Sequence, residues 1–164
     1  MTVLPGILRQ LHASLATHAP EQAVTILQEA GYAAGEGLFR AFTAATNPAD
    51  LDADLLAPTL SEFFTIGGWG SVTVTPVGTG ALALDSADWA EAQPGTSPTP
   101  MCFFSAGMLA DFLGRLSDET VAVMEVECRS RGDARCRFLS ATPEVLEKVY
   151  NEMTQGRSYE EALA

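Results

Sequence analysis

Three observations predict an α+β chain. Apolar residues recur at helical spacing from Leu4 to Phe64, the pattern changes to period two at Val72–Leu84 and again after Thr120, and glycine-rich turns sit where strands must reverse. Two hairpins of this kind make an antiparallel sheet of hairpins packed with several helices.

The first helix runs from Leu4 to Ala16, with Ile7, Leu8, Leu11 and Leu15 on one face and Pro5 tolerated in the first turn. Pro20 opens a longer helical stretch to about Thr43, whose broad apolar face is Val24, Leu27, Tyr32, Leu38, Phe39 and Phe42, with Ile26 at its edge. Gly31, Gly35 and Gly37 each weaken that helix by roughly 1 kcal/mol relative to alanine. Their spacing points either to close approach of another element or a ligand, or to a break near Gly35. A third helical stretch, Ala49–Phe64, turns Leu51, Leu55, Leu56, Leu60, Phe63 and Phe64 inward, and Pro58 is expected to kink or divide it.

Gly67-Gly68-Trp69-Gly70 ends the helical part. Val72, Val74 and Pro76 then alternate toward Gly78-Thr79-Gly80, and Leu82 and Leu84 return on the second arm of a hairpin. The stretch from Ala92 to Pro100 reads as an exposed loop. Cys102–Leu116 is helical again, Thr120–Cys128 is a strand apolar on both faces, Arg129–Arg135 is a turn, and Cys136–Leu139 is the returning strand. Thr142 is the expected cap of a last helix, Pro143–Met153, with Val145, Leu146, Val149 and Tyr150 inward.

A chain of 164 residues is long enough to bury its own core as one domain, and 47% apolar against 18% charged residues argues against disorder. No apolar run approaches the roughly 20 residues of a membrane span, and the opening MTVLPGILRQLHASL lacks the form of a secretory signal. A soluble, cytoplasmic protein is expected. The net charge of −12 repels a phosphate backbone, which argues against nucleic acid as a partner.

All three cysteines, Cys102, Cys128 and Cys136, lie in one segment. Cys128 and Cys136 flank seven residues, so a hairpin sets their sulfurs side by side, while Cys102 precedes a helix whose dipole favours a thiolate. With a carboxylate these would complete a closed, structural metal site of four protein ligands. Ordinary buried thiols and a Cys128–Cys136 disulfide are the alternatives. Glu125 and Glu127 compete for the carboxylate role, since strand alternation puts both opposite Cys128 unless the strand bends.

Three motifs, Cys102-Phe103 leading into Ser105-Ala106-Gly107, Val123–Cys128, and Gly132–Phe138, resemble the 4-vinyl reductase domain, a small-molecule-binding domain named for a protein of bacteriochlorophyll biosynthesis. The same domain serves as the sensor of phenol- and xylene-responsive transcriptional activators, where a Cys, Glu, Cys, Cys quartet binds zinc beside the ligand pocket. The resemblance implies that Cys102, Glu125, Cys128 and Cys136 hold zinc, that a pocket lies between helices and sheet, and that the protein dimerises. It implies one ligand-binding domain over residues 1–164, with a helical part at about 4–66 and the zinc segment at about 101–155. No ATPase or helix-turn-helix segment follows in this sequence, so signalling through a partner protein is expected. The phenol-contacting His and Trp of the activators find no matching motif position here.

Candidate pocket walls are Phe39, Phe63, Phe64, Trp69, Phe103 and Phe104, each of which plain core packing would also explain. Trp89 reads as a half-exposed anchor near the pocket mouth, His12 and His18 as solvated helix residues, and Arg129, Arg131, Arg135 and Arg137 as a charged hairpin tip. The favoured function is binding or sensing of a small apolar or aromatic molecule. Alternatives are an enzyme or accessory factor of tetrapyrrole metabolism, and a protein–protein scaffold. The sequence offers no G-x-G-x-x-G cradle and no nucleophile–base pair, which argues against autonomous catalysis.

Overall fold

The computed structural model describes residues 3–164; Met1 and Thr2, which open the stretch read as lacking a secretory signal, lie outside the described residues. Helix α1 (Leu4–His18) is followed by α2 (Ala23–Ala45), a short 3-10 turn at Pro48–Asp50, and α3 (Ala53–Ile66). The strands β1 (Thr73–Val77) and β2 (Ala81–Ser86) form the first hairpin around Gly78-Thr79-Gly80. Then come α4 (Phe103–Ser117), β3 (Ala122–Glu127), a 3-10 turn at Arg129–Arg131, β4 (Cys136–Ala141), α5 (Pro143–Thr154) and α6 (Tyr159–Leu163). The α+β expectation is met.

Every strand pair is antiparallel, in the order β1-β2-β4-β3. Pro76 sits in β1, an edge strand, where its missing N–H removes no ladder bond on the open side. One face of the sheet presents Leu84, Phe138 and Cys136 to a core shared with Leu8 of α1, Phe42 of α2, Leu60 and Phe64 of α3 and Met108, Leu109 and Phe112 of α4. The other face presents Ala81, Ala83, Val126, Leu139 and Ala141 to Leu146 and Val149 of α5 and Tyr159, Ala162 and Leu163 of α6.

Helix α2 is continuous through Gly35, and its glycines mark a close helix crossing. A Cβ built on Gly31 would stand 2.0 Å from the Phe104 carbonyl oxygen, one on Gly107 of α4 2.1 Å from the Gln28 carbonyl oxygen, and one on Gly35 2.6 Å from Asp111. Gly37 meets nothing within 4 Å. Removing side chains from the facing positions lets the two backbones approach, which seats α2 directly against α4.

Several local expectations are corrected. Pro58 lies inside α3, which continues across it, while the front of that predicted helix becomes the separate 3-10 turn. Val24, Tyr32, Leu55 and Tyr150 are exposed rather than inward, because the neighbours that would cover those helix faces lie elsewhere. Thr142 occupies the cap position of α5 but makes no side-chain cap bond. Helix α6, which periodicity over five residues does not reveal, is closed by a capping box between Ser158 and Glu161.

Candidate metal centre and the core beside it

Which of two glutamates faces the cysteines is decided by one extra residue in β3. Glu125 pairs with Phe138 and Glu127 with Arg137, so the register shifts between them and Val126 bulges out of the ladder. Strict alternation would have put both glutamates on one face. The bulge instead leaves Glu125 on the face of Cys136 and Phe138, and sends Glu127 to the face of Arg137.

The two destinations differ chemically. The Cys102, Cys128 and Cys136 sulfurs and a Glu125 carboxylate oxygen all lie within 4.8 Å of one another. Cys102 Sγ is 3.9 Å from Cys128 Sγ, close to the roughly 3.8 Å that two sulfurs span on a tetrahedral zinc at about 2.3 Å from each. All three thiols are buried and none is in a disulfide. The Cys102 backbone N–H donates to Glu125 Oε2 at 3.0 Å, whereas Glu125 Oε1 is buried with no hydrogen-bond partner among the described residues. An orphaned buried carboxylate oxygen among three sulfurs is the donor set a metal ion satisfies. The residues therefore fit a four-ligand site, and the cluster could hold a metal ion.

The turn between the cysteines is built to hold them. Cys128 N–H donates to Asp133 Oδ2 at 2.7 Å, and the Cys128 carbonyl accepts from the Arg131 and Asp133 amides. Gly132 takes a left-handed φ of 101° that closes the turn. Asp133 is fixed in turn by Arg131.

Electrostatics within the quartet are those of a proton-sharing cluster. Burial, followed by the negative Cys128 sulfur, pushes Glu125 up to about 8 from an ordinary 4.5. Cys128 is held far below the usual thiol range by S–H bonds from Cys102 and Cys136. Cys102 is pushed well up by its bonds to Cys128 and Cys136 and by burial. Cys136, although its bond to Cys102 pulls it down, is raised by Cys128 and by burial. Without metal the site thus favours one thiolate beside protonated neighbours.

Glu127 joins a separate ion-pair network on the opposite face. Arg135 Nε donates to it at 2.8 Å and Tyr159 Oη at 2.5 Å, and Arg137 Nε donates to Asp85 at 2.7 Å. Arg135, then Tyr159, holds Glu127 below the ordinary carboxylate range despite partial burial. At the charged hairpin tip, Arg135 and Arg137 are therefore tied into this network, and Arg131 is taken up by the turn.

Two further readings are corrected by burial. Trp89 is 2% exposed, not half-exposed, and its Nε1 donates to Ser105 Oγ at 2.7 Å. His12 is buried rather than solvated, with Nε2 2.8 Å from Oε1 of Glu91, itself 2% exposed. Neither Glu91 nor Ser105 was singled out from sequence as a functional residue. The available signal is a missing one: α4 starts without Ser, Thr, Asp or Asn at its cap, so a cap must come from elsewhere.

Of the candidate pocket residues, five meet in one aromatic cluster. Phe39, Phe63 and Phe64 surround Phe112 together with Phe42, at centroid distances of 5.6–6.5 Å. Trp69 stacks between Trp89 at 5.5 Å and Phe104 at 6.1 Å. Phe103 is half-buried and lies outside this cluster. A cleft of about 390 Å³ opens instead at the surface, lined by Tyr32, Asp111, Gly114, Arg115, Glu119 and Val121 among others.

Residues 88–141, which include Trp89, Glu91 and the whole quartet, match the family model of the 4-vinyl reductase domain. The match over this segment bears out the resemblance read from its three motifs. Over 141 residues it is 31% identical to the bacteriochlorophyll synthase 23 kDa chain of Cereibacter sphaeroides, a match that covers 78% of this chain and 65% of that relative's length. Its fold is that of the phenol-responsive sensory domain of the transcription activator PoxR, solved with phenol, at a TM-score of 0.68 and 18% identity over 94% of this chain and 82% of that one. The fold is also similar to a trafficking protein particle complex subunit 3 from Naegleria fowleri covalently bound to palmitic acid (TM-score 0.62, 15% identity, 84% of this chain and 93% of that one). No helix among the described residues is long and apolar enough to cross a membrane.

Proposed function

We propose that the chain is a zinc-stabilised binding domain for a small apolar or aromatic molecule, which passes its ligand state to a partner protein and works as a homodimer. One observation carries the reading: the stacked rings of Trp69, Trp89 and Phe104 are built around the first turn of α4, two residues from Cys102. Zinc at Cys102, Glu125, Cys128 and Cys136 would pin that turn to the hairpin, and with it one wall of the aromatic layer. Phe39, Phe63, Phe64, Trp69, Phe103 and Phe104 are the proposed ligand contacts. The Trp89 indole N–H and Ser105 hydroxyl are the polar groups that a ligand hydroxyl would engage. The neighbour solved with phenol, and the family match itself, support this reading.

The experiment is a thermal-shift screen of phenols, alkylbenzenes, fatty acids and porphyrins, since a ligand that binds the native state raises its melting temperature. Tryptophan fluorescence serves as the second readout, both indoles being in the layer. A panel without any stabilising class refutes the ligand reading. For the metal, elemental analysis is expected to give about one zinc per chain, retained in Glu127→Gln and lost in Glu125→Gln.

A second reading is favoured by the 31% identical relative: an accessory role in tetrapyrrole metabolism, in which the ligand is a pigment intermediate. Stabilisation by porphyrins alone within the same panel selects it.

A further inference from the structure

The amides that open a helix have no carbonyl partner within it, and a cap side chain ordinarily accepts from the second or third. In α4 the cap position is Cys102, which makes no side-chain cap bond because its sulfur is turned to the other thiols. Glu91 takes over that task from the preceding loop. Its Oε1 accepts from the Phe104 amide at 3.1 Å, its Oε2 from the Ser105 amide at 2.7 Å, and the Ser105 hydroxyl donates to Oε2 as well. The carboxylate's remaining partner is His12 of α1, at 2.8 Å.

Helix α1 has few other anchors. Only Leu8 and His12 of its residues are buried, and Val3 and Ile7 at its start are 74% and 59% exposed. The contact from His12 to Glu91 spans 79 positions of sequence and joins this lightly held helix to the turn that carries a candidate metal ligand.

We propose that Glu91 is the positioning residue of the metal centre: by capping α4 from a distance it frees Cys102 to ligate, and through His12 it couples metal occupancy to the docking of α1. This rests on the zinc reading above. When zinc leaves, the first turn of α4 is no longer pinned by Cys102, the two amides move off Glu91, and α1 loses its polar anchor. Coupling of this kind is reciprocal, so undocking α1 must weaken zinc by the same factor.

The test uses the full chain. Zinc affinity is measured by competition with a chromophoric chelator for the wild type, Glu91→Gln, His12→Ala and the exposed control Glu144→Gln. Amide hydrogen exchange is followed over residues 4–18 and 143–154, with zinc and after chelation. Glutamine offers one acceptor where two amides, a hydroxyl and an imidazole compete, so Glu91→Gln is expected to lose roughly 10- to 100-fold in zinc affinity, as outer partners of ligands do. Glu144→Gln is expected to bind as the wild type does. Chelation of the wild type, and His12→Ala with zinc bound, are both expected to strip protection from residues 4–18 while leaving 143–154 protected. Folded Glu91→Gln with wild-type affinity, or α1 protection indifferent to chelation, overturns the proposal while leaving the zinc reading intact. A wild type that takes up no zinc overturns both. If Glu91→Gln does not fold, His12→Ala decides alone: unchanged affinity and unchanged α1 exchange refute the coupling.

Discussion

Alanine at Gly31 and alanine at Gly37 are the same change on the same helix, and they are expected to move stability in opposite directions. At Gly31 the new Cβ would stand 2.0 Å from the Phe104 carbonyl oxygen and 3.0 Å from the Met108 amide. Ordinary contact begins near 3.4 Å, so α2 and α4 must part by about 1.4 Å. Both opposing atoms are backbone and cannot rotate away, which places the cost at the upper end of overpacking, about 2–3 kcal/mol. At this chain length that is a fall in Tm of roughly 4–12 °C. At Gly37, exposed and with nothing within 4 Å, alanine contributes only its better helix propensity, about 0.5–1 kcal/mol, and raises Tm by roughly 1–4 °C. Thermal unfolding followed by circular dichroism, checked by urea titration, measures both. Because the displaced Phe104 is two residues from Cys102, Gly31→Ala is also expected to weaken zinc binding, and Gly37→Ala to leave it unchanged. A rise in Tm for both variants would refute the close crossing of α2 and α4.

Two other outcomes rest on the charges. Glu125 holds its proton up to about 8, and the Cys102 and Cys136 thiols are raised, so zinc uptake at pH 7 should release about three protons and tighten as pH rises. Titration calorimetry in buffers of different ionisation enthalpy reads this number, and release of less than one proton contradicts it. Glu127 is the opposite case. Held below 4.5 by Arg135 and Tyr159, it contributes stability that is present in full above 4.5 and lost as pH falls through its folded value. Wild-type protein should therefore lose more stability than Glu127→Gln between pH 5 and pH 3 in urea titrations; equal losses would remove Glu127 from the network.

The five longer helices, both hairpins and the gathering of the three cysteines were legible because each is written in local spacing, whereas spacing left Glu125 and Glu127 as equal candidates. The hairpin that pairs Cys128 with Cys136 needs only its own seven-residue turn, and the helix start at Cys102 needs only the apolar periodicity of α4. Features that failed to show depend on partners far along the chain. His12 looks like any polar helix residue until Glu91, 79 positions on, is folded against it, and Trp89 looks half-exposed until Ser105 takes its N–H. Tyr32 and Tyr150 satisfied the helical pattern, yet periodicity reports which residues share a face and not whether anything covers it. The glycines of α2 left two possibilities open, and only the position of α4 decided between them.

The bulge at Val126 makes the centre sensitive to chain length rather than composition. Glu125 and Glu127 differ in fate only because β3 carries one residue more than β4 between them. Inserting one ladder-paired residue after Val126 would leave every cysteine and both glutamates in the gene, yet shift the rest of β3 to the other side of the pleat relative to Glu125. A relative could then keep Cys, Glu, Cys, Cys in order and have no centre, while another with a different acid at the same spacing could rebuild it. In aligning this family, the count of residues between the glutamate and the second cysteine is the quantity to compare, ahead of their identities.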